Sequence, residues 1–303
     1  MAFLTFARDE HGNYTRTIGE APSTCFACHL DTASGEAEPI NLGTKGGVCR
    51  TDGRTILGAD DRAGLALILS MVVEKVPGVY YLFVGEEEGC VGSSALSRRE
   101  GLPSSVTKCI SFDRKGKTSI VTHQCGGRTC SDTFAEALAA ELNHFGFSYS
   151  PDPTGVYTDS MEFAGQVSEC TNISVGYEAQ HTTEETQDLA FLSCLLGACV
   201  QVDWESLPAE RVAGEAEEEE GVGYGGSWGS GWEYSQEDLY RDHSPYEAVA
   251  YDAIENIADG WELGMPIDRT DIYALVQSKA CDTVDMIELL LQELQRVRWK
   301  EDI

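Results

Sequence analysis

The run Ile56-Leu57-Gly58-Ala59-Asp60-Asp61-Arg62-Ala63-Gly64 constrains this chain more than any other stretch. An apolar pair ends in glycine, two acids follow, and a helical run from Leu65 to Val73 starts directly behind them. Asp60 is therefore expected in a loop leading into a helix N-terminus, where backbone N–H groups and the helix dipole favour a carboxylate. Taken alone, an Asp-Asp pair in that position is a helix N-cap and its neighbour. The other acids and histidines decide whether it is more.

Around this run the apolar pattern alternates between two periods. Thr24-Cys25-Phe26-Ala27-Cys28-His29-Leu30-Asp31 reads as a mostly apolar strand with a polar end, after a turn-rich start in which His11-Gly12-Asn13 is a hairpin tip. Residues 32–54 hold several glycines and are expected as loop with short strands. Then come helix 62–75, strand 78–84, a short helix near 93–99, strands 106–112 and 118–122, helix 131–144, strand 171–177 and helix 185–200. Strands alternating with helices of this length imply parallel pairing. The expected fold class is α/β, a mixed, mostly parallel sheet sandwiched by helices over residues 1–207, with sites at the carboxyl ends of the strands.

From Pro208 the character changes. Residues 208–241 form an acidic, glycine-rich linker, with Glu217 to Glu220 followed by Gly-Val-Gly-Tyr-Gly-Gly-Ser-Trp-Gly. Residues 242–303 read as a small all-α tail: Ser244-Pro245-Tyr246-Glu247 is a capping box, and Ile287, Leu290, Leu291, Leu294 and Val297 share one helix face. Such a face docks on the core, self-associates or recruits a protein partner.

The chain has 303 residues and a net charge of −30, with 51 acids against 21 bases, which argues against a nucleic-acid or anionic-membrane partner because either needs a basic footprint. No apolar run reaches the roughly 18 to 20 residues of a membrane span. The eleven cysteines are scattered and odd in number, and the N-terminus lacks a signal-peptide pattern, so reduced thiols and a cytoplasmic location are expected. Cys25-Phe26-Ala27-Cys28-His29 matches a haem-attachment pattern, but His29 is better explained as a metal ligand and the cysteines as buried strand residues.

Ligand-type residues recur at the expected strand ends. His29-Leu30-Asp31 ends the first core strand, Glu86-Glu87-Glu88-Gly89 follows the next and Asp113 the third, and His181 lies in a loop after the fourth. His29, Asp60, Glu86, Glu87, Asp113 and His181 can thus converge on one sheet edge. Two imidazoles and three carboxylates suit a pair of divalent cations, and one further acid can serve as a base.

The order His-x-Asp, Gly-x-Asp-Asp-x-x-Gly, Glu-Glu, Asp, His resembles the co-catalytic di-zinc exopeptidase clan, over residues 24 to 202. Leu57 to Gly64 is similar to the peptidase T form of the bridging-Asp motif. The short interval between Asp113 and His181 leaves no room for an inserted lid and matches the lidless aminopeptidase branch, so the two clues differ. The resemblance implies two ions, zinc with cobalt or manganese as alternatives, one held by His29, Asp60 and Asp113 and the other by Asp60, Glu87 and His181. It implies that Asp31 accepts a hydrogen bond from the His29 ring, that Glu86 is the general base, and that the Asp60–Asp61 peptide is cis. Counting back from Gly89 and Gly92 selects Glu86 as base and Glu87 as ligand; a shift of one residue would select Glu87 and Glu88.

Tyr157-Thr158-Asp159-Ser160 resembles the stretch lining the substrate pocket, with Tyr157 as an oxyanion donor and Asp159 as partner of a substrate ammonium. An N-cap at Asp159 with a packed Tyr157 is the simpler alternative. The implied activity is amide-bond hydrolysis on a peptide or amino-acid amide, an aminopeptidase first. A carboxypeptidase or N-deacylase, for which Arg114 or Arg128 would grip a carboxylate, is the rival, and a silent binding module that keeps the fold is a third reading.

Overall fold

Thr24–His29 lies inside the main sheet, and its period-two alternation sends Phe26 and Cys28 into one apolar layer and Cys25 and Ala27 into the other. This is a computed structural model, and it describes residues 6–33 and 40–214. The tail helices and the linker beyond residue 214 lie outside the described residues.

In chain order the strands of the main sheet are β1 (Ala7–Arg8), β2 (Tyr14–Ile18), β3 (Thr24–His29), β4 (Gly78–Phe83), β5 (Lys108–Arg114), β6 (Ser119–Val121), β7 (Ser150–Asp152) and β8 (Glu169–Ser174). Their spatial order is β1-β2-β4-β3-β5-β8-β6-β7. The middle four, β4, β3, β5 and β8, are parallel. β1 and β2 close one side in antiparallel fashion, and β6 pairs antiparallel with β8 on the other. His11 and Gly12 fall in the β1–β2 turn, as the sequence implies.

Helices α1 (Ala59–Val73), α3 (Asp132–His144) and α4 (Leu189–Cys199) contribute to the larger apolar layer, which includes Phe26, Leu67, Ile68, Phe112, Phe134, Leu192 and Trp204. Phe26 is fully buried, its ring 5.0 Å from that of Trp204 and 5.2 Å from Tyr80. Truncating it to alanine would cost about 3–5 kcal/mol. Helix α2 (Val91–Arg99) and the 3-10 turn Asp159–Phe163 cover the other face through Leu96 and Phe163.

Three boundaries near the strand ends differ from the sequence reading, the first two with a local cause. β5 runs on to Arg114, so Asp113 belongs to the strand itself, because the Asn172 side chain on β8 accepts from its N–H and donates to its carbonyl. Helix α4 begins at Leu189, not 185, since the Asp188 carboxylate caps the Phe191 N–H at 2.9 Å. Thr186–Asp188 is instead a strand in a second, four-stranded sheet with Leu42–Lys45, Val48–Thr51 and Tyr177–Glu178. β8 ends at Ser174, three residues short of expectation.

Cys25 and Cys28 are buried on opposite faces of β3, which removes the haem-attachment reading. All described cysteines are free, and no described helix is long and apolar enough to cross a membrane.

Candidate functional site

The carboxyl ends of β3, β4 and β5, together with the turn into α1, bring the ligand-type residues to one place. The turn is built by Gly58 at φ 68° and a cis Asp60–Asp61 peptide, after which regular helix starts at Arg62. The two readings of the acid pair divide between its members. Asp61 is the cap, accepting the Gly64 N–H at 3.0 Å, while its other oxygen accepts the His29 N–H at 3.2 Å. Asp60 is left to face the histidines. Gly64 has no room for a side chain: a Cβ there would stand 2.5 Å from the Phe112 carbonyl, so glycine lets α1 lie against β5 beside Asp113.

Asp60 presents one oxygen to each imidazole. Its Oδ1 is 3.0 Å from His29 Nε2, and its Oδ2 is 3.1 Å from His181 Nε2. Asp113 Oδ1 approaches the same His29 nitrogen at 3.7 Å, and Glu87 Oε1 lies 2.9 Å from the same His181 nitrogen. Glu87 Oε1 is buried and receives no hydrogen bond of acceptable geometry despite that proximity. Glu88 is exposed, so the turn directs Glu86 and Glu87, not Glu88, inward.

Burial opposes ionisation of Asp60, yet hydrogen bonds from His181 and His29 outweigh it and hold its pKa far below the usual carboxylate range. Burial likewise works against an imidazolium at His29, but Asp113, Asp31 and Asp60 raise its pKa well above the ordinary value. His181 is pushed up to about 9, first by its bond to Asp60. Burial and then the charge of Asp113 push Glu86 up to about 9 and raise Asp61 well above the usual range. So many carboxylates around two imidazoles need added positive charge, and imidazole nitrogen with carboxylate oxygen is a donor set that zinc-type cations accept. The residues fit such ions.

Asp31 acts differently from what the resemblance implies. His29 Nδ1 meets the Asp31 carbonyl at 2.9 Å, while the Asp31 carboxylate, 3.7 Å from that nitrogen, accepts the N–H groups of Glu86 and Glu87 at 3.1 and 2.9 Å. It positions the turn that carries both glutamates. Tyr157 is not brought to the cluster: it is 42% exposed and its hydroxyl donates to Glu162. Its neighbour Thr158 reaches in and donates to Asp113 Oδ2 at 2.7 Å. Asp159 is buried, accepts from Ser93 Oγ, and is pushed up to about 7 by burial.

Sequence reasoning missed Glu185 and Tyr177. Glu185 is 1% exposed and accepts the N–H groups of Gly58 at 2.7 Å and Asp60 at 3.1 Å, holding the acid turn from outside. Tyr177 donates to Asp113 Oδ1 at 3.0 Å. The spacing of Glu185 four residues after His181 was the available signal, hidden because the stretch reads as a helix start. The second sheet delivers both residues to the cluster's edge.

No protein-family model matches the chain. The uncharacterized protein YqjE of Bacillus subtilis (strain 168) is 37% identical over 82 residues, which span 24% of this chain and 21% of that protein. Among solved structures, aminopeptidase PepT from Bacillus cereus ATCC 10987 superposes with a TM-score of 0.51 at 19% identity, covering 62% of this chain and 83% of that one. A tripeptidase from Staphylococcus aureus subsp. aureus Mu50 does so with a TM-score of 0.53 at 16% identity, covering 65% and 87%. The fold of this chain, a mostly parallel sheet between helical layers, is similar to the fold of these two peptidases.

Proposed function

We propose that this protein is a metal-dependent peptide hydrolase, an aminopeptidase that removes N-terminal residues from short peptides. The observation that carries the reading is Asp60, one buried carboxylate with an oxygen toward each of two imidazoles. Its two sides would hold two divalent cations, zinc with cobalt or manganese as substitutes: His29, Asp60 and Asp113 for one, Asp60, Glu87 and His181 for the other. When bound, the cations supply Lewis acidity toward the scissile carbonyl and make water a better nucleophile.

The chain's own residues do the rest. Glu86, which the positive charge of bound cations would keep ionised, takes a proton from the attacking water as its oxygen joins the carbonyl carbon, then returns it to the amine nitrogen as the C–N bond breaks. Asp31 keeps Glu86 and Glu87 on one rigid turn through their N–H groups. Thr158 and Tyr177 hold Asp113, and Glu185 holds the loop of Asp60.

An aminopeptidase rather than a carboxypeptidase or N-deacylase is favoured by the arginines. Arg114 Nη2 is paired with Asp152 and Thr154, and Arg128 Nη1 with Asp132, whereas the cluster's acids suit an ammonium. Elemental analysis should find two ions per chain at this cluster, both lost in the double variant His29→Ala/His181→Ala. Aminoacyl anilides should turn over with zinc, cobalt or manganese, and turnover of N-acyl amino acids alone would overturn the direction of attack. Glu86→Ala should keep its metal and lose at least about 10²-fold in kcat. Unchanged activity would reject its role.

A further inference from the structure

Away from the cluster just described, three side chains meet where the β1–β2 turn touches the end of α2. Glu10 and His11 sit in that turn, and Glu100 is the residue directly after Arg99. One oxygen or nitrogen from each lies within 4.8 Å of the others. The His11 side chain is only 5% exposed, and its Nε2 points to Glu100 Oε1 at 3.8 Å. That nitrogen is buried with no hydrogen-bond partner.

The two carboxylates thus stand within 4.8 Å of each other beside that imidazole. Two like charges this close favour a cation between them.

From this geometry we infer that Glu10, His11 and Glu100 form a separate binding site for a single divalent transition-metal ion of the zinc class. One imidazole and two carboxylates with open water positions are a zinc-type donor set, and the imidazole disfavours calcium or magnesium. Ligand atoms around tetrahedral zinc stand about 3.4 Å apart, so the 3.8 Å pair needs only a small contraction.

The location gives the ion a structural task. Asp9 accepts from the N–H groups of His11 and Asn13 and from Asn13 Nδ2, which shapes the turn. Asn13 in turn donates to the Gly92 carbonyl and accepts from the Val84 N–H, at the two ends of the segment that carries Glu86 and Glu87. A cation between the turn and Glu100 would pin the far end of α2 to the same hairpin.

The test is equilibrium dialysis of the full-length, chelator-stripped chain against micromolar free zinc, with metal counted per chain. His11→Ala should bind one zinc fewer than the unaltered protein. Because His11 is buried, the exposed Glu100→Gln serves as a second variant and should weaken that one equivalent by at least about tenfold. The double variant His29→Ala/His181→Ala should still bind one zinc, which separates this site from the proposed catalytic pair. Zinc should also slow amide exchange in residues 9–13 of that double variant. Equal stoichiometry and affinity in Glu100→Gln and the unaltered chain would overturn the inference, as would an ion held only at millimolar zinc. If His11 is merely an ion-pair partner of Glu100, the double variant will bind none, and that also overturns it.

Discussion

His29 ends a central parallel strand with its side chain 1% exposed, whereas His181 hangs from a loop with 48% of its side chain exposed and its backbone at φ 62°. The strand register and the Asp31 carbonyl fix the first ring. The second is fixed by a short loop, in which Thr182 Oγ1 donates to the Ala179 carbonyl, and by the strand of the small sheet that begins after Glu185. One half of the site is built into the fold and the other is appended to it. A ligand already held in place loses less freedom on binding. The His29 half should therefore keep its ion under chelation longer than the His181 half.

The largest effect should come from the residue the halves share. Asp60→Ala should lose the two cluster ions by elemental analysis and reduce aminoacyl anilide turnover to background; unchanged metal content would break the picture of a shared carboxylate.

Next, the two histidines should separate. In chelator-treated protein, His29→Ala should cost about 3 kcal/mol or more in a urea melt, because it leaves buried carboxylates facing one another. His181→Ala, at a half-exposed ring, should stay within about 1 kcal/mol in the same melt, and its metal-loaded form should hold one ion fewer. Equal destabilisation would mean that the halves are equally built in.

Glu185→Ala should cost about 1–3 kcal/mol, since it strands two buried N–H groups, and should weaken metal retention through Asp60. Glu185→Gln should recover part of that loss, as its amide oxygen can still accept one of the bonds. If neither variant alters metal retention, Glu185 is a structural acid only. Smallest of all, Tyr157→Phe should change kcat/KM by no more than about twofold, since its hydroxyl is spent on Glu162. A tenfold loss would instead bring Tyr157 into the reaction.

Much of the sheet was legible because burial on both faces makes β3 and β4 read as apolar runs, with glycine and acids marking their ends. The order of His29, Asp60, Glu86, Glu87, Asp113 and His181 was legible for the same reason, as polar residues at those ends stand out. The supports were not. Glu185 looked like a first-turn helix acid, and only pairing of Thr186 with Arg50 turns that stretch into a strand. Thr158 was overlooked in favour of Tyr157 because residue type suggests what a side chain can donate, not where it points. Asp31 was found, but its carboxylate serves two backbone donors instead of a ring.

Local sequence, then, determined the alternating elements, the α/β class and which residues are of a type able to bind an ion, because periodicity and residue type act over a few positions. Tertiary structure alone decided that Asp60 turns one oxygen to each imidazole, that Glu185 and Tyr177 brace the acids, and that Glu10, His11 and Glu100 meet across the hairpin and α2. Those facts depend on strand order and register between segments far apart in the chain, where a shift of one residue would send the side chain to the opposite face.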